Sequence, residues 1–117
     1  MTDINVIVAG KVLSATLDDT AAGRAFAALL PLELGHSDYH GIEKVADLPA
    51  RLDTTGAPAR YAASAGDITY YAPWGNLAIF YKPFQAASGL VRLGAFDGPI
   101  DALLTPDAGP VRVERAG

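Results

Sequence analysis

Ala65-Gly66-Asp67-Ile68-Thr69-Tyr70-Tyr71, then Ala72-Pro73-Trp74-Gly75-Asn76, then Leu77-Ala78-Ile79-Phe80-Tyr81-Lys82-Pro83, is the stretch that decides the fold of this chain. Two short runs rich in β-branched and aromatic residues flank a Pro/Gly/Asn cluster, which is the pattern of a β-hairpin. Neither run alternates apolar with polar residues. Both strands are therefore apolar on both faces and belong at the centre of a covered or closed sheet.

Working outward, residues 4–8 and 12–17 have a period of two and meet at Ala9-Gly10-Lys11, where Gly10 can supply the positive φ of a tight turn. Asp18, Asp19 and Thr20 offer acceptors to free helix N–H groups. Residues 21–30 then set Ala22, Phe26, Leu29 and Leu30 on one helical face until Pro31 stops the helix. Leu32 and Leu34 flank Glu33 in a short strand. Residues 35–61 carry Gly, Pro, Asp, Thr and Ser at a density that predicts irregular structure or single turns, and a connection this long usually carries function or forms a lid. Residues 90–96 read as a strand, 100–104 as one helical turn closed by Pro106, and 111–115 as a last strand with Val111 and Val113 inward. These elements predict a mainly β fold, a small closed antiparallel β-barrel with one main helix and a short second helical turn. Residues 1–117 are expected to form one domain.

Composition narrows the function. A chain of 117 residues buries roughly two-thirds of its unfolded surface, enough for a core without staples. The absence of cysteine removes disulfides, thiol nucleophiles and thiolate metal sites. The formal charge of −4, with lysines and arginines scattered singly, leaves no basic stripe for phosphates, so no nucleic-acid partner is expected. The longest uncharged stretch, residues 68–81, is broken by Pro73, Gly75 and Asn76 and falls short of the roughly 20 apolar residues of a spanning helix. No membrane partner is expected. Met1-Thr2-Asp3 opens with an acid and runs into strand pattern, unlike a signal peptide, and the expected location is the cytoplasm.

Read in order, several segments resemble a known family. They are the opening hairpin, Thr20-Ala21-Ala22-Gly23-Arg24-Ala25-Phe26 leading to Leu29-Leu30-Pro31, and Ser37-Asp38 through Gly41-Ile42-Glu43-Lys44 to Asp47-Leu48-Pro49. Gly66-Asp67-Ile68, Gly75-Asn76-Leu77-Ala78-Ile79-Phe80-Tyr81 and Leu93-Gly94 complete the set. Their order and spacing resemble the cyclophilin-like domain found as small free-standing bacterial and archaeal proteins. The resemblance covers nearly the whole chain and implies a β-barrel with helical caps, in a family whose biochemical role is largely undefined. Cyclophilins proper isomerise prolyl bonds with the arginine of a Phe-His-Arg segment shortly before a Gly-Gly-Asp turn. Ala65-Gly66-Asp67 resembles that turn, but residues 56–64 hold neither Phe-His-Arg nor the glutamine that follows it, and Arg60 has the wrong spacing.

Among chemistry-bearing residues, His36, His40 and Glu43 are the one ligand-like cluster, whereas a Zn²⁺ site needs three or four converging donors. Gly35, Ser37, Asp38 and Gly41 disfavour the helix that would align the two histidines, so neither a metal nor a cofactor is expected. Glu43 could accept from a ligand amide or act as a base if desolvated, or it could simply cap backbone N–H groups. Most aromatic residues belong to the core, while Trp74 at a turn and Tyr81 near a strand end are better placed for contact. Asp67 reads as a turn residue bonding its own downstream backbone, with catalysis as the alternative. Arg92 alternates with Val91 and Leu93. It either faces solvent or turns inward as an anchor for an anion or carbonyl. No nucleophile elbow is present.

Three readings stay open: a noncatalytic binding module for a small molecule or peptide, an enzyme such as a weak prolyl isomerase or one of unassigned activity, and a structural subunit. The first is preferred, with Glu43, Tyr81 and Arg92 converging at the barrel end under residues 35–61. The sequence carries no signal of oligomeric state.

Overall fold

The computed structural model describes residues 1–106 and 108–116. β1 (Thr2–Val8) and β2 (Lys11–Leu17) pair through a turn in which Ala9 and Gly10 both take positive φ, 50° and 75°. The Thr20 hydroxyl accepts from the Gly23 N–H at 3.0 Å and caps α1 (Ala21–Ala28). That helix is two residues shorter than the periodicity predicts, because Leu29 and Leu30 leave it in a turn before Pro31. β3 (Leu32–Leu34) follows as expected.

Residues 35–61 depart from the expectation of irregular structure. β4 (Ser37–Tyr39) and β5 (Glu43–Asp47) form a hairpin there, and residues 48–59 are the one long stretch of the segment left without helix or strand. His40 and Gly41 both take positive φ, 55° and 67°, the Ile42 N–H donates to the Tyr39 carbonyl at 3.2 Å, and Asp38 Oδ2 accepts from the Gly41 N–H at 2.8 Å. A histidine in the left-handed region gives little notice of itself in sequence, since the conformation costs it energy that the turn must offset. Glu43 and Lys44 thus lie on a strand, not on a loop across a barrel end.

β6 (Arg60–Tyr61) precedes the central hairpin of β7 (Asp67–Tyr71) and β8 (Asn76–Phe80). β9 (Ala87–Ser88) pairs with β6, β10 (Leu90–Phe96) with β2 and β7, and the chain finishes with α2 (Asp101–Leu104) and β11 (Val111–Arg115). Nine strands run in the order β3-β11-β1-β2-β10-β7-β8-β5-β4, every ladder antiparallel. The sheet curls into a half-barrel whose two edge strands, β3 and β4, are joined by Gly35 and His36 alone. The mainly β, barrel-like fold is as expected. Its closure is narrower than expected, since the order ends at β3 and β4 with no ladder between them among the described residues.

β7 and β8 are buried on both faces, as their sequence requires. Ile68, Tyr70, Leu77 and Ile79 point to an inner core shared with Phe26 of α1, Leu103 of α2, Leu17 and Leu93. Ala78, Phe80 and Leu90 point the other way, under Ala63, Tyr61 and Phe84, with the Phe80 and Phe84 rings stacked 5.7 Å apart. The segments on either side of the central hairpin therefore fold back over its outer face. Among the described residues no helix is long and apolar enough to cross a membrane.

Candidate functional site

Alternation along β7, β8 and β10 decides which polar groups share the outer face. Ile68 and Tyr70 face the inner core, so Asp67 and Thr69 face outward; Val91 and Leu93 face inward, so Arg92 joins them. A one-residue register shift between Arg92 and Gly94 separates the part of β10 that carries Arg92 from the part paired to β2. Arg92 Nε donates to Asp18 Oδ2 at 2.8 Å and its Nη1 to Asp67 Oδ1 at 3.2 Å. The Tyr61 hydroxyl donates to Asp67 Oδ2 at 2.5 Å, and the Ser64 N–H donates to the same oxygen at 2.8 Å.

Asp67 is the buried member of this cluster, its side chain 4% exposed against 39% for Arg92. A carboxylate so placed must be paired and hydrogen-bonded, and here both oxygens are. The bond to Asp18, outweighing the cost of burial, drives the Arg92 guanidinium above its ordinary range. Burial, reinforced by the bond to Asp67, pushes the Tyr61 hydroxyl up. The cluster is thereby fixed as one cation between two carboxylates, with a neutral phenol completing it.

This cluster stands at the wall of a cavity of about 390 Å³ between the first turn of α1, residues 55–58 and β10. Ala21, Ala57, Pro58 and Leu90 supply apolar walls, and Arg92, Asp18 and Tyr61 supply the polar groups. A mostly apolar concavity with a few fixed polar groups is the ordinary make-up of a small-ligand site. Arg92 has two N–H groups engaged by the carboxylates, and its Nη2 keeps donors for an acceptor in the cavity.

The three residues expected to converge do not. Arg92 lines this cavity, and so does the stretch Thr55 to Pro58, part of the segment 35–61. Glu43 lines a different one, of about 350 Å³, with Tyr39, Tyr71, Trp74, Phe80 and Phe84. The two share only Leu90. Tyr81 lines neither; its hydroxyl donates to Asp38, which also lies 3.7 Å from Lys44 Nζ. That bond lowers the Asp38 carboxyl and pushes the Tyr81 phenol up to about 12. Glu43 is raised by burial, with His40 opposing.

Arg92 is neither of the alternatives read from sequence in pure form, being half-buried and already ion-paired. Asp67 accepts from Ser64 upstream of it, not from downstream backbone. Arg60 is exposed on β6 and donates to the Ala86 carbonyl at 3.2 Å. His36 donates from Nε2 to the Gly109 carbonyl at 2.8 Å, and the His40 ring stands edge-on to Tyr39 at 4.2 Å. Among the described residues no three metal-ligating side chains gather. Asp18 and Tyr61 were not singled out from sequence as site residues. A usable signal was present: a strand buried on both faces that opens with Asp67 requires a cation nearby, and Arg92 is the one charge within residues 90–96.

Comparison with known proteins agrees with the fold. A family model described as the cyclophilin-like family matches residues 6–114. The solution structure of a hypothetical protein from Archaeoglobus fulgidus superposes with a TM-score of 0.67 at 19% identity, covering 98% of this chain and 95% of that one. At that identity the likeness is one of fold. No protein among the curated sequences matches the chain.

Proposed function

The chain belongs to the cyclophilin-like family, and from that premise we propose that it is a noncatalytic binding module whose ligand occupies the cavity beside Arg92. The observation that carries this reading is the clamp on Arg92, a guanidinium fixed by Asp18 and Asp67 at the wall of a mostly apolar cavity. Two carboxylates outnumber the single cation, so the cluster disfavours an anion and suits a neutral acceptor. The ligand is a small molecule or short peptide segment that offers a carbonyl to Arg92 and lays an apolar body against Ala57, Pro58 and Leu90. Fixing the donor before the ligand arrives spares the ordering cost of binding.

The test uses capped apolar dipeptides, followed by backbone amide NMR. Shifts confined to residues 55–58, 61 and 90–92 are expected, with at least about tenfold weaker binding in Arg92→Lys, which keeps the charge and loses the fork. Shifts elsewhere, or equal binding by Arg92→Lys, would remove the proposal. Proline-containing dipeptides in the same series should show no more than trace acceleration of cis/trans exchange, which is slow enough uncatalysed for real turnover to be plain. Robust turnover lost in Arg92→Ala would make the protein an isomerase instead.

A further inference from the structure

The second cavity has a different chemistry. Register places Glu43 opposite Phe80 and Asp47 opposite Asn76 on the outer face, so β5 and β8 form the floor of a cleft of about 350 Å³. Trp74 stands over it, 59% exposed, and meets two rings edge-to-face: Tyr39 at 5.8 Å and 84°, and Tyr71 at 5.4 Å and 81°. Phe80 and Phe84 complete an aromatic wall. Ring faces carry negative potential and attract a cation within about 6 Å.

Two polar groups in this wall lack partners. Glu43 is half-buried and makes no ion pair among the described residues. Asn76 is 6% exposed, and its Oδ1 accepts no hydrogen bond. A buried acceptor left without a donor is costly unless something fills it. Among the described residues no lysine or arginine lines the cleft; Arg60 reaches its rim only through the Ala86 carbonyl, at 3.2 Å, and His40 stands edge-on to Tyr39. The aromatic faces, the unpaired carboxylate and the orphan carbonyl all favour the same group, a cation with N–H donors. A neutral ligand would leave Glu43 uncompensated, and an anion would be repelled by it.

We propose that this cleft, separate from the Arg92 cavity, binds an alkylammonium group, its charge against Glu43 and Trp74 and an N–H toward Asn76. The group could belong to a free small amine or to a lysine side chain of another protein.

Trp74 is the sole tryptophan of the chain and therefore reports from the cleft itself. Its fluorescence is titrated with butylammonium, the uncharged butanol, the anionic butyrate, and a lysine blocked at both backbone ends. A saturable change is expected with butylammonium, weaker or absent with butanol and butyrate. Tighter binding of blocked lysine than of butylammonium assigns the site to a protein side chain, and the reverse order assigns it to a free amine. Glu43→Gln should weaken butylammonium at least about tenfold with an unchanged melting temperature. Butanol matching butylammonium, no saturable change with either amine, or undiminished binding by a folded Glu43→Gln protein would each overturn the proposal. The charge series on the unaltered protein decides the matter even if that variant is unstable.

Discussion

The two faces of β7, β8 and β10 are built on opposite rules. The inner face is aliphatic with one Tyr70 hydroxyl, and that hydroxyl accepts from the Leu52 N–H at 3.3 Å. The outer face holds Asp67, Thr69 and Asn76, which are the buried polar residues among those described, and borders both cavities. Thr69 is satisfied through the Ala78 carbonyl at 2.8 Å, Asp67 by three donors, and Asn76 Oδ1 by none. One set of strands thus supports a sealed core on one side and poised polar groups on the other. Local rules of burial are kept where the fold is specified and relaxed where chemistry is displayed.

The sharpest way to break this contrast is at Phe26, which α1 drives into the inner core at 1% exposure. Phe26→Ala should lower stability by about 3–5 kcal/mol, read from the midpoint of denaturant unfolding. An unchanged midpoint would mean that the inner face does not carry the fold. On the outer face, Asp67→Asn keeps the shape and discards the charge that holds Arg92. A smaller loss, about 1–3 kcal/mol by the same measurement, is expected from the unsatisfied donors left behind. A loss as large as that at Phe26 would erase the distinction between the faces.

The smallest effect lies at the sheet edge, where Tyr81 and Asp38 are bonded in the open. Here the expectation is a titration, not a change of stability. Ionising the phenol gives up its hydrogen bond to Asp38 and then sets a second negative charge beside that carboxylate, so the phenol is pushed up to about 12. Asp38→Asn removes that charge, and Tyr81 should ionise nearer the ordinary tyrosine value of about 10. Phenolate absorbance of the two proteins, compared through alkaline pH, checks the shift; coincident curves would show that the bond does not form.

How much of this was legible follows from where the forces are local. The central hairpin announced itself because residues 68–71 and 77–80 have no polar alternation, and Thr20 announced the helix start by its side-chain chemistry. β5 did not, because Glu43-Lys44-Val45-Ala46-Asp47 is charged at both ends and is held by its ladder to β8, whose residues follow their partners by 29 to 37 positions. The Arg92 clamp joins Asp18, Tyr61, Asp67 and Arg92 from four separate stretches, which no spacing within the chain encodes. Glu43 and Arg92 could be named as candidates one at a time. Their assignment to different cavities depends on strand register, and register is settled by pairing over distance.

The junction of β3 with β4 sets a mechanical limit on the molecule. These strands are the two free edges of the curled sheet, and Gly35 and His36 tie one to the other. Three backbone steps separate Leu34 from Ser37, and a fully extended chain covers them in about 10–11 Å. The gap between the edges therefore has a hard stop: breathing of the half-barrel can widen it only to the length of that tether. His36, within the tether, is itself bonded to the Gly109 carbonyl at 2.8 Å.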